Sequence, residues 1–476
     1  MKSLYKALLG NEFIDTNDTV EIINPFTRSA VTKVTICDEK IYKNAIEIAK
    51  EAQKKYIRLP QYERSLVLLR VSEEILKVRE NLARIITLES GKPIKDSRAE
   101  VDRAAIVFRT AFSIAEEERG EFISLEKSHA SKRHFGIVKR VPLGVGIGIT
   151  PFNFPLNLVA HKIAPALLSG NAIIIKPALR TPVSALMLAD ILNSCGLYSG
   201  MLSVLPARSL TVEKVLKESE DIRFLSFTGS ANVGWYLKSL VPKKKVVLEL
   251  GGNAGVYIDS ECDVDFAAKR CVYGAFAFSG QICISVQRIF VYHSIFDKFL
   301  NKFLQATSEL KLGDPLSEHV DIGPMIDVEN TERVLDWIEE AKKGGARVLT
   351  GGEVEDNILK PTVITDSKPE MKINSSEVFG PVVTIEKVGS FEEGIEMINN
   401  SIFGLQAGVF TNNLNKAFYA YENIEVGGVI INDVPTFRSD NMPYGGVKES
   451  GFGREGVRYA AEELTEPKLM VVNLNV

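Results

Sequence analysis

The chain has 476 residues, 57 basic and 61 acidic, for a net charge of −4, and both signs are interspersed along its length. That balance argues against a nucleic-acid partner, which requires a basic face, while 45% hydrophobic residues supply enough core for two or three domains of about 100–200 residues each. Five cysteines, an odd number, lie scattered without a CxxC pair or a Cys/His cluster, so neither a disulfide framework nor a metal site is expected.

The opening stretch MKSLYKALLGNEFID holds one short apolar patch, too brief for a signal-peptide core. No apolar run reaches the roughly 18–20 residues of a membrane span, and the nearest, around residues 141–154, is interrupted by Pro142 and Pro151. The expectation is a soluble, cytoplasmic protein with reduced thiols and no membrane partner.

Between residues 39 and 119, the segments IYKNAIEIAKEAQKKY and ERSLVLLRVSEEILKVRENLARIITLES and the run 99–118 place apolar residues three and four apart, which predicts helices. Gly91 and Pro93 punctuate them as a helix stop does. From Gly136 the texture changes. GIVKRVPLGVGIGIT, NAIIIKPA, GMLSVLP, IRFLSFTGS and KKVVLELGG read as strands, each followed by a helical stretch. Such alternation predicts a parallel, doubly wound sheet, with a nucleotide crevice at the carboxyl ends of its strands.

Several motifs sit at those ends. In PFNFP, Pro151 and Pro155 stiffen the backbone around Phe152, Asn153 and Phe154, which suits either an amide aimed as an oxyanion donor or an Asn closing a turn. Phe227, Thr228, Gly229 and Ser230 end a strand and open a helix, either to receive a pyrophosphate or as an ordinary Ser cap. The GxGxxG of Gly451, Gly453 and Gly456 has only 20 residues after it, too few for the ~30-residue βαβ unit of a phosphate loop. Glu249 in VVLELGGN and Cys283 in FSGQICIS set a carboxylate and a thiol among glycines. These residue types suit a base and a nucleophile, and a free cysteine equally suits a buried structural role.

Read together, PFNFP, IIKPA, FTGS, LELGGN, GQIC, EVFGPV and YGGVKESGFGREG occur in an order that resembles the aldehyde dehydrogenase superfamily, over nearly the whole chain from INPFT near Ile23. The strings PFNFPLNLVAHKIAPA, GQICISVQR and FRSDNMPYGGVKESGFGREGV are most similar to the members oxidising short hydroxyaldehydes such as lactaldehyde and glyceraldehyde.

The resemblance implies that Cys283, as thiolate, attacks the aldehyde carbon. An ordinary thiol is only a few per cent ionised at neutral pH, so helix N-terminal amides or a nearby base must activate it. Asn153 and the Cys283 backbone N–H would hold the alkoxide, hydride would pass to a nicotinamide, and Glu249 would activate the water that hydrolyses the thioester, with Lys162 relaying the proton. The same resemblance assigns cofactor contacts to Thr150, Pro151 and Phe152, to Lys176, Pro177 and Arg180, to Phe227, Thr228, Gly229 and Ser230, to Leu250 and Gly251, and to Glu377 and Phe379. NAD-preferring members often carry a glutamate three residues after the lysine matched by Lys176. Here that position is Leu179, followed by Arg180, which removes a repulsion toward a 2′-phosphate. NADP is therefore the expected cofactor, with NAD possible.

The implied aldehyde tunnel is lined by Phe152, Phe154, Ile282, Ile284, Thr436, Phe437 and Arg438. Arg438 either draws an oxygen-rich or anionic aldehyde to the mouth or forms a surface or interface ion pair. A small hydroxyaldehyde is the first expectation, and an aldehyde bearing a carboxylate, phosphonate or sulfonate the second. A non-catalytic relative would be expected to lack Cys283 or Glu249, and a CoA-acylating one usually lacks Glu249, so their presence favours acid release. The expected architecture is α/β. A Rossmann-type NAD(P) domain would span 1–123 and 143–251 and a catalytic domain 252–451. The segment 124–142 and the C-terminal 452–476 would supply edge strands to a β oligomerisation arm of a homodimer or homotetramer.

Overall fold

The computed structural model describes residues 2–117 and 120–475. Met1, Val476 and Glu118, the last residue of the helix predicted over 99–118, lie outside the described residues. Four helices precede the first sheet crossover: α1 (Glu39–Tyr56), α2 (Gln61–Lys77), α3 (Arg79–Ser90) and α4 (Ile94–Ala115). Asp38 caps α1 by accepting from the Ile41 N–H, and acidic and basic residues sit at the ends that the helix dipole favours. Gly91, in the left-handed conformation, ends α3, and Pro93 precedes α4, as the sequence punctuation predicts.

The predicted alternation of strand and helix builds the first sheet. Its eight strands run in the order Gly451–Phe452, Lys245–Glu249, Ile222–Thr228, Val145–Ile149, Ala172–Lys176, Leu202–Val204, Ala7–Leu9, Glu12–Ile14. The five central strands are parallel and the edges antiparallel. Ala172–Lys176 is buried throughout, as an inner parallel strand covered on both faces must be. The crossover helices are α5 (Asn157–Leu168), α6 (Val183–Ser194), α7 (Ser209–Glu218) and α8 (Ala231–Leu240). From Val145–Ile149 the chain first builds outward on one side and then returns to place Ile222–Thr228 on the other, which makes a topological switch point between these two strands.

A second sheet of seven strands follows, in the order Arg347–Thr350, Thr362–Thr365, Val382–Val388, Val286–Tyr292, Ala254–Ile258, Gln406–Phe410, Gly428–Ile431, parallel except at the first pair. The GxGxxG string does not open a parallel crossover. Gly451–Phe452 instead adds an antiparallel edge beside Leu248 and Glu249.

Glu121–Ser124, His134–Pro142 and Thr465–Asn473 form a separate antiparallel sheet. Expected as unpaired edges, the segment 134–142 and the C-terminal segment instead pair with each other along their whole length, and His134–Pro142 becomes the central strand. The physical reason is that each supplies the ladder partner the other lacks. Among the described residues, no helix is long and apolar enough to cross a membrane.

Candidate active site

A cavity of about 700 Å³ lies where the carboxyl ends of the first sheet face the segments leading into strands of the second. Val145–Ile149 delivers Pro151, Phe152 and Asn153 to it, Ile222–Thr228 delivers Gly229 and Ser230, and Lys245–Glu249 delivers Glu249 itself. Cys283 enters from the turn before Val286–Tyr292, and Glu377 and Phe379 from the turn before Val382–Val388.

The turn that carries Cys283 is strained. Phe278 and Ser279 both adopt left-handed conformations, φ 47° and 54°, in front of Gly280 at φ 68°, and each such non-glycine residue costs on the order of 1–3 kcal/mol. The turn is held by Ser279 Oγ donating to the Gly323 carbonyl at 2.7 Å and by the Ile326 N–H donating to Gln281 Oε1 at 2.9 Å. Asn153 Nδ2 donates to the Gln281 carbonyl at 2.9 Å, which ties the proline-bracketed loop to the segment two residues before Cys283. Half-buried Cys283 has its sulfur 3.0 Å from the Tyr444 hydroxyl. Burial pushes the thiol up to about 12, and the Tyr444 hydrogen bond and the Arg438 charge oppose that push.

Glu249 is buried and both of its carboxylate oxygens lack a partner. Burial, reinforced by the charge of Glu455, holds it well above the usual carboxylate range. Lys162, from α5, donates to Ser226 Oγ at 3.0 Å and Thr228 Oγ1 at 2.8 Å and reaches Glu455 Oε1 at 3.4 Å, so its direct ionic partner is Glu455. Glu455 is buried too, yet Lys162 and Arg438 overcome that burial and keep it ionised, at about 2. Arg438 places one guanidinium nitrogen 3.0 Å from Glu455 Oε2 and its guanidinium carbon 3.7 Å from the centre of the Tyr444 ring.

On the other side of the cavity the residues fit a nicotinamide dinucleotide. The ten-residue α8 points its N-terminus there, and Ser230, its cap residue, makes no side-chain cap bond, which leaves hydroxyl and amides to meet phosphate. Gly251 and Gly252 allow close packing: a Cβ would meet Glu377 Oε2 at 2.2 Å from the first and the Cys283 carbonyl at 2.2 Å from the second. The half-buried Glu377 carboxylate accepts from the Gly252 N–H at 3.0 Å, and desolvation raises it to about 7. Phe379, at φ 48°, meets Phe152 edge to face with ring centres 5.8 Å apart. Leu250 lines the same wall. Lys176 is buried with no carboxylate in reach among the described residues, and burial lowers its pKa.

Not every expected residue reaches the cavity. Phe227 forms a floor beneath Gly229, where a Cβ would strike its ring at 2.6 Å. Thr150, Lys176 and Pro177 are buried and are not among the residues that line the cavity, and the Thr150 hydroxyl is without a partner. Arg180 is exposed and ion-paired with Asp327 at 3.2 Å, so its charge is shared rather than free. On the substrate side, Phe154, Ile282 and Ile284 line the cavity, but Phe437 turns outward and is 48% exposed. The reason is a contact from another strand: Gln406 Nε2 donates to the carbonyls of Pro435 and Phe437, and Thr436 lines the cavity. Arg438 is no free cation at a mouth, since Glu455 and the Tyr444 ring claim it, though it still lines the wall. Sequence reading passed over Tyr444, Glu455 and the Lys92–Glu100 pair. The first two lie within YGGVKESGFGREG, where the glycines dominate the local pattern.

Two sheets meeting at a switch-point crevice, with a cysteine, a buried glutamate and a helix N-terminus lining one cavity, define the class of an α/β oxidoreductase. The aldehyde dehydrogenase family model matches residues 13–470, and the chain belongs to that family, the NAD(P)-dependent oxidoreductases of the aldehyde group. It is 39% identical to a 3-sulfolactaldehyde dehydrogenase of Priestia aryabhattai, across 99% of this chain and 98% of the relative. It is 38% identical to a lactaldehyde dehydrogenase of Methanococcus vannielii, across 96% and 97%. The solved structure of aldehyde dehydrogenase 21 from Physcomitrella patens, in complex with the reaction product succinate, superposes with a TM-score of 0.98 at 40% identity over 100% of both chains.

Proposed function

We propose that this chain oxidises a short hydroxyaldehyde of the lactaldehyde or glyceraldehyde class to its acid, with NADP preferred. The observation that carries the reading is the convergence of Cys283, Asn153 and Glu249 on one cavity whose opposite wall is built for a dinucleotide. Cys283 attacks the carbonyl carbon, and the second N–H of Asn153, not used by Gln281, meets the developing oxyanion, a contact worth about 3 kcal/mol. Glu249, whose oxygens have no other partner, takes the proton of the water that cleaves the thioester. Ser230 and the α8 amides hold the pyrophosphate, Glu377 accepts from a ribose hydroxyl, and Phe152 and Phe379 flank the nicotinamide. The cofactor, when bound, accepts the hydride. Leu179, in place of a carboxylate, supports NADP.

A second reading, an aldehyde carrying an anionic tail, is favoured by the similarity to a 3-sulfolactaldehyde dehydrogenase and to an aldehyde dehydrogenase solved with succinate, and by two cavity-lining arginines, each already paired with a carboxylate, Arg438 with Glu455 and Arg103 with Asp440. Arg438 lies one aromatic ring away from Cys283, and Arg103 also lines the cavity. A panel of lactaldehyde, glyceraldehyde and succinic semialdehyde with NAD and NADP, followed at reduced-nicotinamide absorbance, tests both, with Cys283→Ala as control. Arg438→Ala should selectively lower kcat/KM for the acid if the second reading holds. An equal loss on all three aldehydes would sink it.

The residues of the first sheet form the cofactor-binding unit in this reading, and those of the second sheet the catalytic unit. The small antiparallel sheet exposes Phe122, Leu469, Met470 and Val471 beside open outer edges, which supports a homodimer or homotetramer. Light scattering on the purified protein would read the assembly directly.

A further inference from the structure

Tyr444 has its hydroxyl 3.0 Å from Cys283 Sγ, and among the described residues no other side chain hydrogen-bonds that sulfur. The phenol is held from two directions. Its backbone forms an antiparallel bridge with Glu455, the Tyr444 N–H donating to the Glu455 carbonyl at 3.0 Å and the Tyr444 carbonyl accepting from the Glu455 N–H at 2.6 Å. Its ring carries the Arg438 guanidinium at 3.7 Å, and that guanidinium is fixed by the Glu455 carboxylate at 3.0 Å. Tyr444, Arg438 and Glu455 thus form one packed unit that aims the phenolic oxygen at the sulfur. A cation over the ring face draws electron density from the phenol and makes its O–H a stronger donor.

We propose that Tyr444 is a catalytic residue whose O–H donates to the Cys283 thiolate and keeps it ionised and aimed. The assignment rests on Cys283 being the nucleophile. Ionisation breaks the S–H bond and releases the proton to bulk solvent through the open cavity. Attack then forms the C–S bond with a sulfur electron pair, and the carbonyl π pair moves onto oxygen, where the Asn153 amide donates to it. Tyr444 keeps its proton throughout. Its hydrogen bond is strongest while sulfur carries the charge, so it counters the burial that otherwise disfavours the thiolate.

The test is the rate of Cys283 alkylation by iodoacetamide across pH, measured on the protein without cofactor and located by peptide mass spectrometry. Tyr444→Phe removes one oxygen and keeps the ring. A hydrogen bond to a charged group supports an expected slowing of about 10- to 100-fold at pH 7, with the midpoint of the profile moved upward. Arg438→Met, which removes the charge above the ring, should move the midpoint the same way by less, and it provides the reading if the first variant does not fold. A wild-type alkylation profile in folded Tyr444→Phe, or in Arg438→Met if the first variant does not fold, overturns the inference. Cys283→Ala separates this failure from that of the function itself: retained aldehyde oxidation in that variant removes the nucleophile, whereas an inactive Cys283→Ala beside an unshifted Tyr444→Phe removes only the role of the phenol.

Discussion

Lys92 and Glu100 form an ion pair in which the side chains are only 1% and 0% exposed, and the lysine ammonium rests on the faces of Phe154 and Phe278, 3.8 and 4.6 Å from the ring centres. Glu100 also accepts from the backbone N–H groups of Leu156 and Asn157 at 2.9 and 3.1 Å, which satisfies the opening turn of α5. One buried pair therefore joins α4, the proline-bracketed loop of Asn153, the helix of Lys162 and the strained turn of Cys283. Burial lowers the lysine pKa, and Glu100 opposes that loss.

Breaking the pair from one side leaves an uncompensated charge. Lys92→Met strands the Glu100 carboxylate with two backbone donors and should destabilise the fold by about 3–5 kcal/mol. The double variant Lys92→Met/Glu100→Gln should recover much of that loss. Urea unfolding midpoints at pH 7 read both, and a single variant as stable as the parent would contradict the account.

Glu249→Gln keeps shape but removes the base. If Glu249 serves the thioester, the variant should show a rapid burst of reduced nicotinamide near one equivalent per active site. A steady rate lower by about 10²–10⁴-fold should follow, the range that positioned acid–base groups contribute. Stopped-flow absorbance separates the phases. Loss of the burst itself would place Glu249 before acylation.

The pH dependence has a definite sign. Burial and the Glu455 charge raise Glu249, so its basic form, and with it deacylation, should rise with pH along a limb lying above the ordinary carboxylate range. Removing the neighbouring charge in Glu455→Gln should move that limb to lower pH, as seen in kcat between pH 5 and 9. Glu455 itself is depressed to about 2 from 4.5, so the stability it contributes is complete above pH 4.5 and is lost as pH falls toward 2. The parent's acid unfolding should therefore steepen across that window, and Glu455→Gln should lack this component.

Cofactor choice has a single-residue test. Leu179→Glu places a carboxylate where ribose hydroxyls would be accepted and a 2′-phosphate repelled. The NADP/NAD ratio of kcat/KM should fall by about tenfold or more, equivalent to roughly 1.4 kcal/mol. An unchanged ratio would locate the preference elsewhere, and the Arg180–Asp327 pair makes Arg180 the weaker contributor.

Much of the site was legible because its residues advertise themselves locally. Two prolines single out Asn153, as an aimed amide or a turn-closing residue, and Glu249 and Cys283 stand out among glycines; the structure puts all three on one cavity. Phe437 was not legible, because which residue of its loop faces inward depends on a grip from Gln406, in a distant strand. Arg438 was read as either a mouth cation or an ion-pair partner, and only the packing of Glu455 against it and Lys162 decided between them. Strands were expected within 124–142 and the C-terminal 452–476, and His134–Pro142 and Thr465–Asn473 form there. Their mutual pairing is a long-range choice that local propensity does not encode.

The sequence by itself determined the order of helices and strands, the family, and the kinds of side chain delivered to the strand ends, since periodicity, turn chemistry and motif spacing are properties of neighbouring residues. Only the tertiary structure decided which groups meet and in what charge state. Desolvation and through-space charge come from residues far apart in the chain. That is why the phenol on the Cys283 sulfur, the cation over that phenol and the buried pair beneath both loops became visible only once the chain was folded.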